Sequence, residues 1–110
     1  MIEGFERQAL VIVNLVSPKE KFFGMLLSLS PAGVTMRGIN LDSFDDWIRQ
    51  VARGEELNID LITMFIPLFR VERIFLDEAQ GAIPPYARRF EEVVGIRLKR
   101  HLGLDEEPAG

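Results

Sequence analysis

The chain has 110 residues, 47% hydrophobic and 27% charged, which predicts one folded domain rather than a disordered segment. It has no cysteine and a single histidine, His101, so disulfides, thiol nucleophiles and thiolate metal sites are excluded and little is left for histidine chemistry. With 13 Lys and Arg against 17 Asp and Glu the net charge is −4, the opposite of what nonspecific phosphate binding usually requires.

Residues 9–16 are short, apolar and β-branched, the pattern of a strand covered on both faces, by the chain's own core or in part by a partner. Residues 17–21 form a polar break containing Pro18. Residues 22–29 read as a second strand, and Gly24 within it predicts a sharp bend or the close approach of another backbone. Ser30-Pro31-Ala32-Gly33 suits a type I turn, and residues 34–39 complete a three-stranded meander.

At Asp42 the period changes. Phe44, Trp47, Ile48 and Val51 recur at helical spacing, Ser43 and Asp46 resemble a capping box, and Gly54 is placed to end a helix over residues 44–53. Residues 60–66 and 70–77 return to strand, separated at Pro67-Leu68. Simple alternation puts Val71, Arg73 and Phe75 on one face of the latter and Glu72, Ile74 and Leu76 on the other. Gly81 and Pro84-Pro85 close the sheet region, a helix follows over 86–94 with Gly95 as its stop, and residues 96–102 form a last short helix. The expected organisation is one domain over residues 1–103 with a flexible tail from 104 to 110. The fold is a mostly β, α+β small five-stranded barrel of the SH3-like class, with an inserted helix and a C-terminal helical segment.

Leu10-Val11-Ile12-Val13-Asn14-Leu15, Phe23-Gly24-Met25-Leu26 and Gly33-Val34-Thr35-Met36 resemble the first three strands of Sm-like proteins. Met64-Phe65-Ile66-Pro67 and Val71-Glu72-Arg73-Ile74 are similar to their last two. The resemblance implies an Sm-like barrel, ring assembly and RNA as a partner. Two RNA-binding signatures are replaced: Ser30-Pro31-Ala32-Gly33 stands where the family has an aspartate–asparagine loop, and Leu68-Phe69-Arg70 where its bacterial ring chaperone has a lysine–histidine pair.

Asp42, Asp45 and Asp46 read as dipole-complementing residues of a first helical turn, without the glycine-centred loop of a calcium site. Asp77-Glu78 reads as a solvated strand end rather than a general-acid pair. Candidate nucleic-acid contacts are Arg37, Arg70 and Arg73 in or beside strands and Arg88, Arg89, Arg97 and Arg100 in the helical tail. A solvated face, or a patch meeting an acidic neighbour, is the alternative for each. Eight phenylalanines exceed what a small core hides with ease, so Phe22, Phe65, Phe69 and Phe75 are candidates for an oligomer interface. No catalytic constellation, metal site, cofactor motif or small-molecule substrate is evident. The acidic residues near the start and the interruption of the apolar stretch 22–36 by Gly24, Pro31 and Gly33 give no export signal or membrane span. The expectation is a cytoplasmic, non-enzymatic homo-oligomer, a ring being one form of it, with RNA binding as the alternative function.

Overall fold

A computed structural model describes residues 4–104. Five antiparallel strands, β1 (Leu10–Leu15), β2 (Glu20–Ser30), β3 (Gly33–Asn40), β4 (Ile62–Pro67) and β5 (Val71–Leu76), form one sheet in the order β4-β3-β2-β1-β5. Helix α1 (Phe44–Arg53) lies between β3 and β4, and α2 (Tyr86–Val94) and α3 (Leu98–His101) follow the sheet. The mostly β, α+β reading and the place of every predicted strand and helix hold, with shifted ends. Glu20 and Lys21 belong to β2 rather than to the preceding break, and Asp60 and Leu61 precede β4.

The sheet curls because its inner face has enough apolar side chains to pack on itself. Val11, Val13 and Leu15 of β1 meet Leu26, Val34, Met36 and Ile66, with Ile74 and Leu76 packed alongside. The other face of β1 supplies Ile12 to a second core, where α1, α2 and α3 bring Phe44, Trp47, Ile48, Phe90 and Leu98 over Phe23 and Ile39. Thus β1 is covered on both faces by its own chain. The turn of 3-10 helix at Leu68–Arg70 closes the curl: Leu68 N–H donates to the Ala32 carbonyl (3.0 Å), and Val16 N–H donates to the Arg70 carbonyl (2.8 Å).

Two irregularities keep apolar side chains pointing inward. The β2–β3 register shifts between Leu26 and Ser28, so Leu26 and Leu29 both reach the inner core although three positions apart. The β1–β5 register shifts between Asn14, opposite Arg73, and Leu15, opposite Val71. The bulge turns Val71 to the face of Ile74 and Leu76, away from Phe75, which corrects the simple alternation expected for this strand.

Helix ends follow local chemistry, with one correction. Ser43 adopts helical backbone angles and makes no side-chain cap. A 3-10 turn over Leu41–Ser43 precedes α1, and its cap is Asn40, whose side chain accepts from Asp42 N–H at 2.9 Å. Asp46 instead pairs with Arg49 at 2.8 Å. After α3, Gly103 takes φ +75°, its N–H donates to the Arg100 carbonyl, and Leu104 N–H donates to the Lys99 carbonyl, a Schellman closure. Leu104 therefore takes part in closing the end of α3. The rest of the expected tail, residues 105–110, lies outside the described residues.

Candidate interaction surface

Among the described residues the sheet has two sides without a strand partner, the outer side of β4 and the outer side of β5, because these strands end the order β4-β3-β2-β1-β5. Such edges present free backbone donors and acceptors that another strand can pair with. Beside the β4 edge the chain exposes a run of large apolar side chains: Ile62 is 60% exposed, Phe65 55%, Leu68 44% and Phe69 84%. The local cause is the Pro67 break, which sends Leu68 and Phe69 into a 3-10 turn outside the core instead of continuing the inward alternation of Met64 and Ile66.

The phenylalanines divide sharply. Phe23, Phe44 and Phe90 are fully buried, and the rings of Phe23 and Phe44 meet edge-to-face at 5.5 Å. Phe22 is half-buried against the inner core and Phe75 against the helical core, so these two are packing residues rather than exposed contacts. Of the four interface candidates, the exposed pair is Phe65 and Phe69.

The candidate arginines do not converge. Arg70 is a fastener of the fold: its guanidinium donates to the carbonyls of Val16 (3.1 Å) and Pro18 (2.9 Å) and to the Glu20 carboxylate (3.0 Å). Arg89 joins α2 to Asp45 of α1 at 2.8 Å, Arg88 pairs with Glu92 at 3.3 Å, and Arg73 lies 3.3 Å from Glu72. Arg37 is half-buried on β3, opposite Met25 and Thr63. Arg97 and Arg100 stand on the exposed side of the last helical segment. The sequence alone signalled the positive charge but not its partners, which come from 44 residues away for Arg89 and from 50 to 54 for Arg70.

Asp77 is not a solvated strand end. Its two carboxylate oxygens accept from the N–H groups of Tyr86 (2.8 Å) and Ala87 (2.9 Å), so it caps α2 from the end of β5, where Pro85 has no side-chain acceptor to offer. Burial pushes its carboxyl above the usual 3.8, against the opposing pull of the Ala87 and Tyr86 N–H groups. Among the described residues no group of three or more His, Asp or Glu side chains is arranged to hold a metal ion. No helix among them is long and apolar enough to cross a membrane.

Comparison of the chain with protein-family models, with curated proteins and with solved structures finds no match.

Proposed function

We propose that this chain is a non-enzymatic assembly protein that associates with copies of itself through the β4 edge and the apolar run beside it. The observation that carries the reading is a pair of exposed rings, Phe65 at 55% on β4 and Phe69 at 84% in the 3-10 turn that follows it, on a strand whose outer side has no strand partner among the described residues. Taking two such rings out of water gains about 1.5–3 kcal/mol each, and backbone pairing along the edge supplies direction. The resemblance to Sm-like proteins supports the same reading, since a three-strand meander followed by two short strands split at Pro67 is what it implies. A heterologous contact of this kind closes into a ring when its rotation closes.

RNA binding, which the same resemblance implies, has less support. Arg70 is spent on the fold, and Arg89 ties α2 to Asp45 of α1.

The test is absolute mass by light scattering on a sizing column over a dilution series, for the native chain and for Phe69→Glu. A discrete oligomer that the substitution converts to monomer with an unchanged circular dichroism spectrum supports the proposal. A native monomer, or an oligomer indifferent to Phe69→Glu, overturns it. RNA binding is read in parallel: a salt-sensitive affinity that falls uniformly in Arg97→Ala and Arg100→Ala would favour the second reading.

A further inference from the structure

The two edges of the sheet differ in what they offer a second strand. On β4, Leu68 N–H donates to the Ala32 carbonyl (3.0 Å), one position beyond the opposed residues Pro67 and Gly33, so those two form a pair without mutual bonds. Alternation then turns the backbone N–H and C=O of Ile66, Met64 and Ile62 toward β3 and those of Phe65 and Thr63 outward. This outward row stops at both ends. Pro67 has no N–H to give, and Leu61 N–H is already held by the Asp60 carboxylate at 2.7 Å. Residues 61–69 carry no charge, and Ile62, Thr63, Phe65, Leu68 and Phe69 among them are exposed.

The β5 edge is guarded. Asp77 N–H donates to the Leu10 carbonyl (2.9 Å) and Val16 N–H to the Arg70 carbonyl (2.8 Å), which by the same rule turns Leu76, Ile74 and Val71 outward. The register shift opposite Asn14 and Leu15 makes that row uneven, so a straight strand cannot pair with all of it. Glu72 and Arg73 add charge to the same stretch, a common way of protecting an edge.

We propose that the strand pairing with β4 is β4 of a second copy, antiparallel to it, about a two-fold axis through Met64. The inference rests on the self-association proposed above and adds its symmetry. The result is an isologous dimer, because β5 is poorly suited to the heterologous contact that builds a ring. With Met64 opposite its own copy, Thr63 of each chain lies opposite Phe65 of the other, and the two exchange both bonds. In this register every outward N–H and C=O of Thr63 and Phe65 finds a partner. An axis through Phe65 sets the Thr63 carbonyl against Pro67, and one through Thr63 sets the Phe65 carbonyl against the occupied Leu61 N–H. An uncharged edge also lets two chains of net charge −4 meet without like charges opposed. Ile62, 60% exposed, comes opposite Ile66, and the turn carrying Leu68 and Phe69 comes beside the segment that leads into the other copy's β4.

The chain has no cysteine, so single introduced cysteines report the pairing. Met64→Cys places two thiols on backbones about 4.5 Å apart and is expected to form an intermolecular disulfide on mild oxidation. Pyrene on Thr63→Cys, at diagonal sites about 7–8 Å apart, is expected to give excimer emission. Thr63→Pro removes an outward N–H and spares the ladder to β3. It should raise the dimer dissociation constant by about tenfold or more with an unchanged circular dichroism spectrum. Light scattering on the native chain should give twice the monomer mass. A native monomer overturns this inference together with the self-association beneath it. An oligomer larger than a dimer, or an association that shows neither disulfide nor excimer or ignores Thr63→Pro, overturns the two-fold pairing and leaves self-association standing.

Discussion

Gly24 of β2 stands directly opposite Gly38 of β3, and neither position has room for a side chain. A Cβ on Gly24 would collide with the Arg37 carbonyl and the Gly38 Cα, and one on Gly38 would come 2.8 Å from the Phe23 carbonyl oxygen. The pair lets two backbones close on each other at the point where an 11-residue strand must bend around the inner core. Gly24→Ala should therefore destabilise the fold by about 1–3 kcal/mol or more, because the obstructing atoms are backbone. Urea unfolding measures it. A loss no larger than that of an exposed substitution would mean the strands part at little cost.

Arg70 ties the 3-10 turn to the end of β1 and to the turn after it through three acceptors. An ammonium group cannot reproduce the planar fork. Arg70→Lys is expected to lose about 1–3 kcal/mol. Arg88→Ala, which removes only an exposed pair with Glu92, should stay within about 0.5 kcal/mol. Equal losses in the two variants would refute the fastening role.

Trp47 is fully buried, packs on Phe90 at 5.2 Å between ring centres, and donates its indole N–H to Asp60 at 3.2 Å. Truncation to Ala should cost about 3–5 kcal/mol by opening a cavity beneath the helices. Asp60→Ala removes only the acceptors for Trp47 and for Leu61 N–H and should cost about 1–2 kcal/mol. Thermal and chemical unfolding of both variants separate packing from hydrogen bonding.

Asp77 sets a pH dependence whose sign follows from its burial. Its carboxyl titrates above 3.8 in the folded chain, so the folded state holds its proton more tightly than the unfolded state does. The resulting contribution to stability is fully present below the unfolded value and is lost as pH rises through the folded one. Asp77→Asn keeps an acceptor for α2 and removes this titration. The stability difference between native chain and variant should shift against the native chain as pH rises across that window and be flat above it, as read by urea unfolding at successive pH values. A difference that is constant throughout would show that the carboxylate's bonds to Tyr86 and Ala87 offset its desolvation, and one that moves in the opposite direction that they outweigh it.

Order and type of the elements were legible in the sequence because their signals are local. The apolar run through Val11, Ile12 and Val13, the helical spacing of Phe44, Trp47, Ile48 and Val51, and the punctuation by Gly54, Pro67 and Gly95 each act within a few residues. The glycines of the second and third strands were on display in the sequence, but that Gly24 and Gly38 stand opposite each other became visible only through strand register. Tertiary structure alone decided which side chains are available. It packed Phe22 and Phe75 onto the cores and left Phe65 and Phe69 outside. It turned Val71 inward through a bulge, and spent Arg70 and Asp77 on the backbones of distant segments. It also aligned Asn14 with Lys21 and Arg73, residues from three different strands. The physical reason is common to all of these: strand register, bulges and long-range hydrogen bonds are settled by which surfaces the whole chain can bury together, and no short window of sequence contains both partners.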